Sequence, residues 1–402
     1  MAVQEYPAPE SVSRLQTRAF GAGAFALVLS IYGAIHSPET FFPSYLMSFL
    51  LILGIALGSL GLVMLQHLTA GHWGIVIRRP LESATRTLPL LVIAFLPIAI
   101  FGMRYLYSGR GNDQGWLNAP VSGEGALSDF QKSYLTHNGF LVRSVIYFVV
   151  WLALMFIFNV WSRQQDTNRT DRALRQRFRM LAGPGIILYV FAMSFAAIDW
   201  VMSISPHWAS TIYGFIFVGG QLISSMSFMI AVVVLLSRTE PFASILQPRH
   251  LHDLGKLLLA FVMLWAYFDF SQLLIIWSGN QPEEISFYRT RLYGEWGVVA
   301  LIVVIFHFFV PFFLLLSQDL KRRAQILSKI AVWLIFMRLV DLFWMTRPEF
   351  TASAVPSWLD LVLPIALGGL WLGFFAFNLK QCPLLPVGDP KLEEAIEQHH
   401  EH

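Results

Sequence analysis

Two stretches of this sequence place carboxylates where hydrocarbon-facing side chains are expected. Ala197 to Gly214 contains Asp199, Met202, Ser203, Pro206, His207, Trp208, Ser210, Thr211 and Tyr213. Trp265 to Arg291 contains Asp269, Ser271, Gln272, Asn280, Pro282, Glu283, Glu284 and Arg289. Asp199 and Asp269 both stand inside helix-length apolar runs. A carboxylate in hydrocarbon is costly unless it is paired, hydrated or protonated, so each is a candidate for function. The other ionisable residues sort by depth along the same kind of run. His67, His72, Asp253 and Lys256 fall at one end and His307 in the middle. Arg104, Arg143, Asp199, Asp269, Glu295, Arg338 and Asp341 fall in the opposite half. Such a ladder suits proton transfer: histidine has an unperturbed pKa of about 6.5, and a carboxyl group in low dielectric can load and release a proton. The path read from it is Asp199, Asp269, His307, Glu295, Asp341, Asp253, Lys256 and His67. His307 is about 15 residues, roughly 20 Å, from the outer end of its helix. Internal waters are therefore expected to link it outward to Asp269 or Asp199 and inward to Lys256, Asp253 or His67.

A plain structural alternative stands beside this one. Arg338 and Asp341, i and i+3 on one helix, can neutralise each other, and Asp253 and Lys256 have the same spacing at a water interface. His67 and His72 can be solvated at a headgroup boundary. Asp199, Asp269 and His307 have no local partner of opposite charge, which makes them harder to explain by structure alone. Arg104, Arg143 and Arg338 are expected to pair with the outer acids across helices whether or not protons move.

The elements that must position these residues follow from composition. The chain has 402 residues, 56% of them hydrophobic and 13% charged, against about 25% charged in soluble proteins. A spanning helix needs about 20 mostly apolar residues. Ten runs qualify: 19–35, 44–68, 87–107, 139–161, 180–204, 209–237, 253–278, 292–317, 325–346 and 358–379. The expected fold is therefore an all-α integral membrane protein of ten transmembrane helices. No cleavable signal peptide is evident. Most of the 28 lysines and arginines fall in the N-terminus, the connections after helices 2, 4, 6 and 8, and the C-terminus. The other connections hold Arg110, Lys132, Arg289, Arg291 and Arg347. The positive-inside rule then places both termini in the cytoplasm, giving a 1–18 cytoplasmic tail, a 19–379 membrane domain and a 380–402 cytoplasmic tail. Gly54, Gly58 and Gly61 on helix 2 suit close helix packing, Pro311 predicts a kink in helix 8, and 108–138 reads as a loop.

The single cysteine, Cys382, excludes intrachain disulfides, a cysteine-ligated iron–sulfur cluster and a Cys-x-x-Cys-His haem site. His36, His67 and His307 fall at three depths, which argues against a bis-histidine haem. There is no P-loop and no dinucleotide fingerprint, so no cofactor is expected on this chain. The net charge of +3, distributed by membrane side, gives no sign of nucleic-acid binding. Asp199 precedes Pro206 by seven residues and Asp341 precedes Pro348 by seven. That is a faint repeat, which would make helices 2–5 and 6–9 parallel four-helix bundles with helices 1 and 10 peripheral.

Asp-Trp-x-Met-Ser-x-x-Pro-His-Trp-x-Ser-Thr-Ile-Tyr-Gly from Asp199, Trp-Ala-Tyr-x-x-Phe-Ser-Gln-x-Leu-Ile-Ile-Trp from Trp265, and Asn-x-Pro-Glu-Glu from Asn280 together resemble the NrfD-like (polysulfide reductase type) membrane subunits of bacterial alternative complex III. The likeness is greatest to the smaller of that complex's two such subunits. It implies ten helices with two four-helix bundles in the bacterial inner membrane. It also implies a place in a quinol:electron-acceptor oxidoreductase whose acceptor is cytochrome c or similar. Partners would be a second NrfD-like subunit, iron–sulfur subunits and multihaem cytochrome subunits, which carry the haem and clusters. In that family the sister subunit is credited with the quinol pocket, for menaquinol or another quinol, at the outer end of the first bundle. Carried over by position, the matching region here would be His137, Arg143 and Asp199, with Arg104 nearby. The acids and His307 match residues that such subunits are proposed to use for proton conduction. Three readings remain open: a cofactor-free, non-catalytic proton-conducting subunit, a quinol-binding subunit, and an independent ion-coupled transporter. The scattered prolines and sparse central polar cluster count against the transporter.

Overall fold

The computed structural model describes residues 6–110, 113–120, 126–167, 172–389 and 392. Hydrophobic runs and few charges fix its elements. Nine helices among the described residues are long and apolar enough to cross a membrane. They are α1 (Glu10–His36), α2 (Pro38–Thr69), α3 (Arg78–Leu106), α4 (His137–Thr167), α5 (Ala173–Ile204), α6 (Tyr213–Leu236), α7 (Pro248–Gly279), α8 (Gly294–Leu316) and, beyond one intervening helix, α10 (Trp358–Leu379). By length and composition the chain is an all-helical, multi-pass membrane protein. The intervening α9 (Ala324–Thr346) is 23 residues long but carries Lys329, Arg338 and Asp341. Those charges separate it from the other nine. The one β feature among the described residues is a two-residue ladder, Gly109–Arg110 paired with Asp113–Gln114. The end of the molecule bearing the 108–138 connection is here called the outer end.

Helices α2 and α6 run through the centre. The apolar stretch of α2 is buried on all sides, which its mean hydropathy of 2.4 and its row of small residues permit. A Cβ on Gly58 would lie 2.2 Å from the backbone oxygen of Gln221 on α6. One turn on, Ser59 and Ser225 share a hydrogen bond of 2.9 Å. The expected close packing around Gly54, Gly58 and Gly61 is therefore made against α6 and the Tyr189 ring of α5. Without water to hide from, helices in lipid associate through such close contacts and interhelical hydrogen bonds. On α6, Gln221, Ser224, Ser225 and Ser227 all point inward.

Several boundaries differ from the sequence expectation. Residues 10–18 are not a tail, because α1 already begins at Glu10. Residues 382–389 are not a free tail either. Cys382, Leu384, Leu385 and Val387 are buried, and Asp389 reaches Arg78 at 3.1 Å. Residues 1–5, 390, 391 and 393–402 of the expected tails lie outside the described residues. Helix 10 is less peripheral than expected. Asp360 at its start accepts from Ser44 of α2 at 2.6 Å and pairs with buried Arg347 at 3.4 Å. Helix α3 begins nine residues before the expected 87, at Arg78, because Arg78 and Arg79 are paired with Glu82, Asp166 and Asp389 and can be buried with them. Within α8, the turn before Pro311 opens into a π segment, Val304–Phe309. Such a bulge is a feature often found at functional positions. Both α5 and α9 end at the outer face in a 3₁₀ turn, Met202–Ile204 and Arg347–Glu349.

Candidate functional site: two buried carboxylate centres

The first centre lies where α4 and α5 meet near the outer end. Asp199 on α5 has no solvent exposure. Arg143 on α4 grips it with two hydrogen bonds, Nε to Oδ2 at 2.8 Å and Nη2 to Oδ1 at 2.9 Å. The Tyr147 hydroxyl, one turn further along α4, donates to Oδ2 at 2.6 Å. Three donors on a single carboxylate, two from a planar guanidinium, form a strong charge-assisted arrangement. The guanidinium also donates to the Tyr134 carbonyl at 2.9 Å and lies over the Tyr134 ring, 3.8 Å from its centre. Tyr134 sits in the short helix Asp129–Tyr134, whose start is fixed by a Ser128–Gln131 capping box. Its hydroxyl is buried without a hydrogen-bond partner. Burial first, then the Asp199 charge, pushes its pKa up to about 12. Behind the carboxylate, Trp200 donates to Ser144 at 2.9 Å, and Tyr107 donates to the Trp200 carbonyl at 2.9 Å.

A cavity of about 450 Å³ opens beside this centre, lined by Tyr134, Phe195, Ile198, Met202, Ser203 and Trp208 among others. Ser203 also donates to the Asp199 carbonyl at 2.5 Å. The other residues expected near a quinol do not reach it. His137 is exposed at the start of α4. Arg104 is exposed as well, donates to the Tyr105 hydroxyl at 2.7 Å and stacks on that ring. An arginine at a helix end near the surface can reach solvent, so nothing forces it onto a buried acid.

The second centre lies between α6, α7, α8 and α9. Arg338 and Asp341, both on α9 and both buried, form a direct contact. Arg338 fits because α6 carries glycine opposite it: a Cβ on Gly220 would lie 2.1 Å from the guanidinium carbon. His307, in the π segment of α8, is fully buried. Its Nδ1 is 4.0 Å from Asp341 Oδ2, and neither ring nitrogen has a hydrogen bond. The ring packs on Trp265 of α7 with centroids 4.3 Å apart. Asp269 lies one turn beyond Trp265 on α7, and among the described residues no hydrogen bond or ion pair reaches it. Asp341, on the neighbouring helix, is thus a nearer acid to His307 than sequence depth indicates.

The remaining path residues separate from both centres. Glu295 is exposed and accepts from Ser353 at 3.0 Å and from the Ala354 amide at 2.8 Å, tying down the outer end of α8. Asp253 and Lys256 pair at 3.2 Å with both side chains largely in solvent. His67 stacks flat on Phe178 with centroids 4.0 Å apart. Sequence reasoning passed over Tyr134, Tyr147 and the buried Arg78–Arg79–Glu82 set. The Arg143–Tyr147 spacing of one helical turn and the two arginines three and four residues before Glu82 were the available signals. It also passed over Arg291, fully buried in the helix Pro282–Leu292, which pairs with Glu349 at 2.8 Å. Among the described residues, no group of three or more His, Cys, Asp or Glu side chains is placed to hold a metal ion. Neither a scan against models of known protein families nor a search of curated proteins returns a match for this chain.

Proposed function

We propose that this chain is a cofactor-free membrane subunit of a quinol-oxidising electron-transfer complex of the bacterial inner membrane, and that it conducts protons through its second carboxylate centre. In this reading α9 is the tenth transmembrane helix. Helices α2–α5 and α6–α9 are two related four-helix groups, both termini are cytoplasmic, and the redox groups belong to partner subunits. One observation carries the reading: a buried histidine with both nitrogens free of hydrogen bonds, 4.0 Å from a buried carboxylate. A purely structural histidine is ordinarily held by at least one hydrogen bond. His307 can accept a proton at one nitrogen and release it from the other. Asp341, held beside it by Arg338, supplies the compensating charge, and Asp269 is the next acid toward the outer end. The π bulge frees the local backbone ladder at the same turn.

The test is made on the assembled complex. Asp269→Asn keeps the shape and hydrogen-bonding ability of the side chain but abolishes its titration, and His307→Phe removes the shuttle. Both variants should assemble with their partners and lower the proton yield per electron. If both translocate protons at the wild-type ratio, the second centre is structural and the reading fails.

A second reading, quinol binding by this chain, draws on the apolar cavity beside Asp199. A flat apolar ring fits among Phe195, Ile198, Met202 and Trp208, with the unpartnered Tyr134 hydroxyl at its edge. Tyr134→Phe would then weaken binding of a quinol analogue while leaving Asp199 paired. An unchanged affinity would remove this site.

A further inference from the structure

At the inner end of the molecule, α2, α3, α4 and α5 enclose a pocket of about 440 Å³, lined among others by Gln66, His67, Arg78, Arg175, Arg179 and Asp389. Beneath it lies a network of charges. Arg78 donates to Glu82 at 3.0 Å, to Asp389 at 3.1 Å and to Gln165 at 2.7 Å. Arg79 donates to Glu82 at 2.8 Å and to Asp166, and Arg86 donates to Asn159 at 2.7 Å. Three arginines stand against three carboxylates, so this network carries no formal surplus charge. The rim does. Arg175 and Arg179, one turn apart on α5, are exposed and have no ion pair among the described residues. Two further polar atoms in the pocket wall are buried with no hydrogen-bond partner: Gln66 Oε1, on a residue only 4% exposed, and His67 Nε2. One is an acceptor, and the other is a donor in the tautomer protonated at Nε2.

We infer that this pocket binds the headgroup of an anionic phospholipid. Arg175 and Arg179 would face the phosphate, His67 Nε2–H would donate to it, and Gln66 Oε1 would accept from a headgroup hydroxyl such as that of glycerol. Free phosphate shares the charge chemistry, but the surroundings favour a lipid. The pocket sits where spanning helices end, at headgroup depth. From it Gln176, Met180, Gly183, Ile187 and Phe191 follow one another by single turns along α5. Met180, Ile187 and Phe191 are among the most exposed apolar side chains of that helix, and Gly183 leaves open space beside it. That strip offers acyl chains a track leading away from the phosphate. Basic pockets between transmembrane helices on the cytoplasmic side are a recurring form of anionic-lipid site. The inference does not rest on proton transfer at His307.

The full chain, purified in neutral detergent, is titrated with phosphatidylglycerol, phosphatidylcholine and inorganic phosphate under native mass spectrometry. Phosphatidylglycerol should be retained in preference to phosphatidylcholine, and millimolar inorganic phosphate should not displace it. Arg175→Gln/Arg179→Gln should weaken retention roughly thirtyfold, the effect expected of two basic residues near an anionic lipid. Arg163→Gln/Arg177→Gln removes the same charge from exposed positions that do not line the pocket, and should change retention less than threefold. Equal losses in the two double variants would reduce the site to diffuse electrostatics and overturn the inference. Displacement by inorganic phosphate, or equal retention of phosphatidylcholine, would also overturn it.

Discussion

Asp199 and Asp341 occupy comparable places. Each lies near the outer end of a long helix, each is buried, and each is followed by a 3₁₀ turn. Their surroundings differ in where the donors come from. Asp199 is bound from a neighbouring helix by a bidentate arginine and a tyrosine. Asp341 is bound by an arginine of its own helix, and its other near neighbour is a histidine at 4.0 Å that makes no hydrogen bond. A carboxylate clamped across two helices holds those helices together. A carboxylate served from its own helix holds nothing across the interface, and the adjacent imidazole can share its proton. The first centre is built as a brace; the second lacks such a brace across helices, which is what the proposed proton path requires of it.

The largest expected effect comes from removing each arginine with side-chain volume roughly kept. Arg143→Met leaves Asp199 buried without a counter-charge, and breaking a buried pair from one side costs about 3–5 kcal/mol. Arg338→Met leaves Asp341 equally buried, but His307 can protonate and stand in for the lost cation. Thermal denaturation of the detergent-purified chain should show the larger loss for Arg143→Met. Equal losses would break the contrast between the two centres.

A smaller effect follows from Tyr147→Phe, which deletes one of three donors and leaves the arginine clamp in place. Hydrogen bonds to charged groups contribute about 1.5–3 kcal/mol, and retention of the clamp places this variant at the lower end. Asp269→Asn, at an acid with no partner among the described residues, should change stability by no more than about 0.5 kcal/mol. If Asp269→Asn destabilises as much as Tyr147→Phe, the second half of the molecule is braced as well, and its acids are not free to titrate.

Much of this arrangement could be read from residue order. Long apolar runs with interior acids announce spanning helices and buried charge, and Gly58 with its neighbours announces a close helix crossing. The side of each helix could not be read so directly. Asp199 and Arg143 are 56 residues apart, and their pairing depends on the rotation of α4 against α5, which is set by packing. His307 looked isolated because depth along α8 was the only coordinate available. The crossing with α9, eased by Gly220, brings Asp341 to it. Basic residues between apolar runs are normally loop charge, yet Arg78 and Arg79 are buried. Their burial depends on Asp166 and Asp389, and Asp389 is more than 300 residues away. The strap at 382–389 was hidden for the same reason, since its anchor is a tertiary ion pair at the far end of the chain.

The smallest effect concerns the phenol beside the first centre, which has no counterpart among the groups touching Asp341. Tyr134 has its pKa raised from an ordinary 10.0 to about 12, chiefly by burial and next by the Asp199 charge. The folded chain therefore keeps this proton where the unfolded chain loses it. Below about pH 10 both states hold the proton. Between about pH 10 and 12 the unfolded state ionises first, so folding stability falls as pH rises through that window. The difference in alkaline absorbance between wild type and Tyr134→Phe isolates one tyrosine from the twelve in the chain, and its midpoint should lie near 12. In Arg143→Met the midpoint should move higher still, because the guanidinium is the group that favours the phenolate. A midpoint near 10 in the wild type would place Tyr134 in solvent, and the first centre would then consist of Arg143, Tyr147 and Asp199 alone.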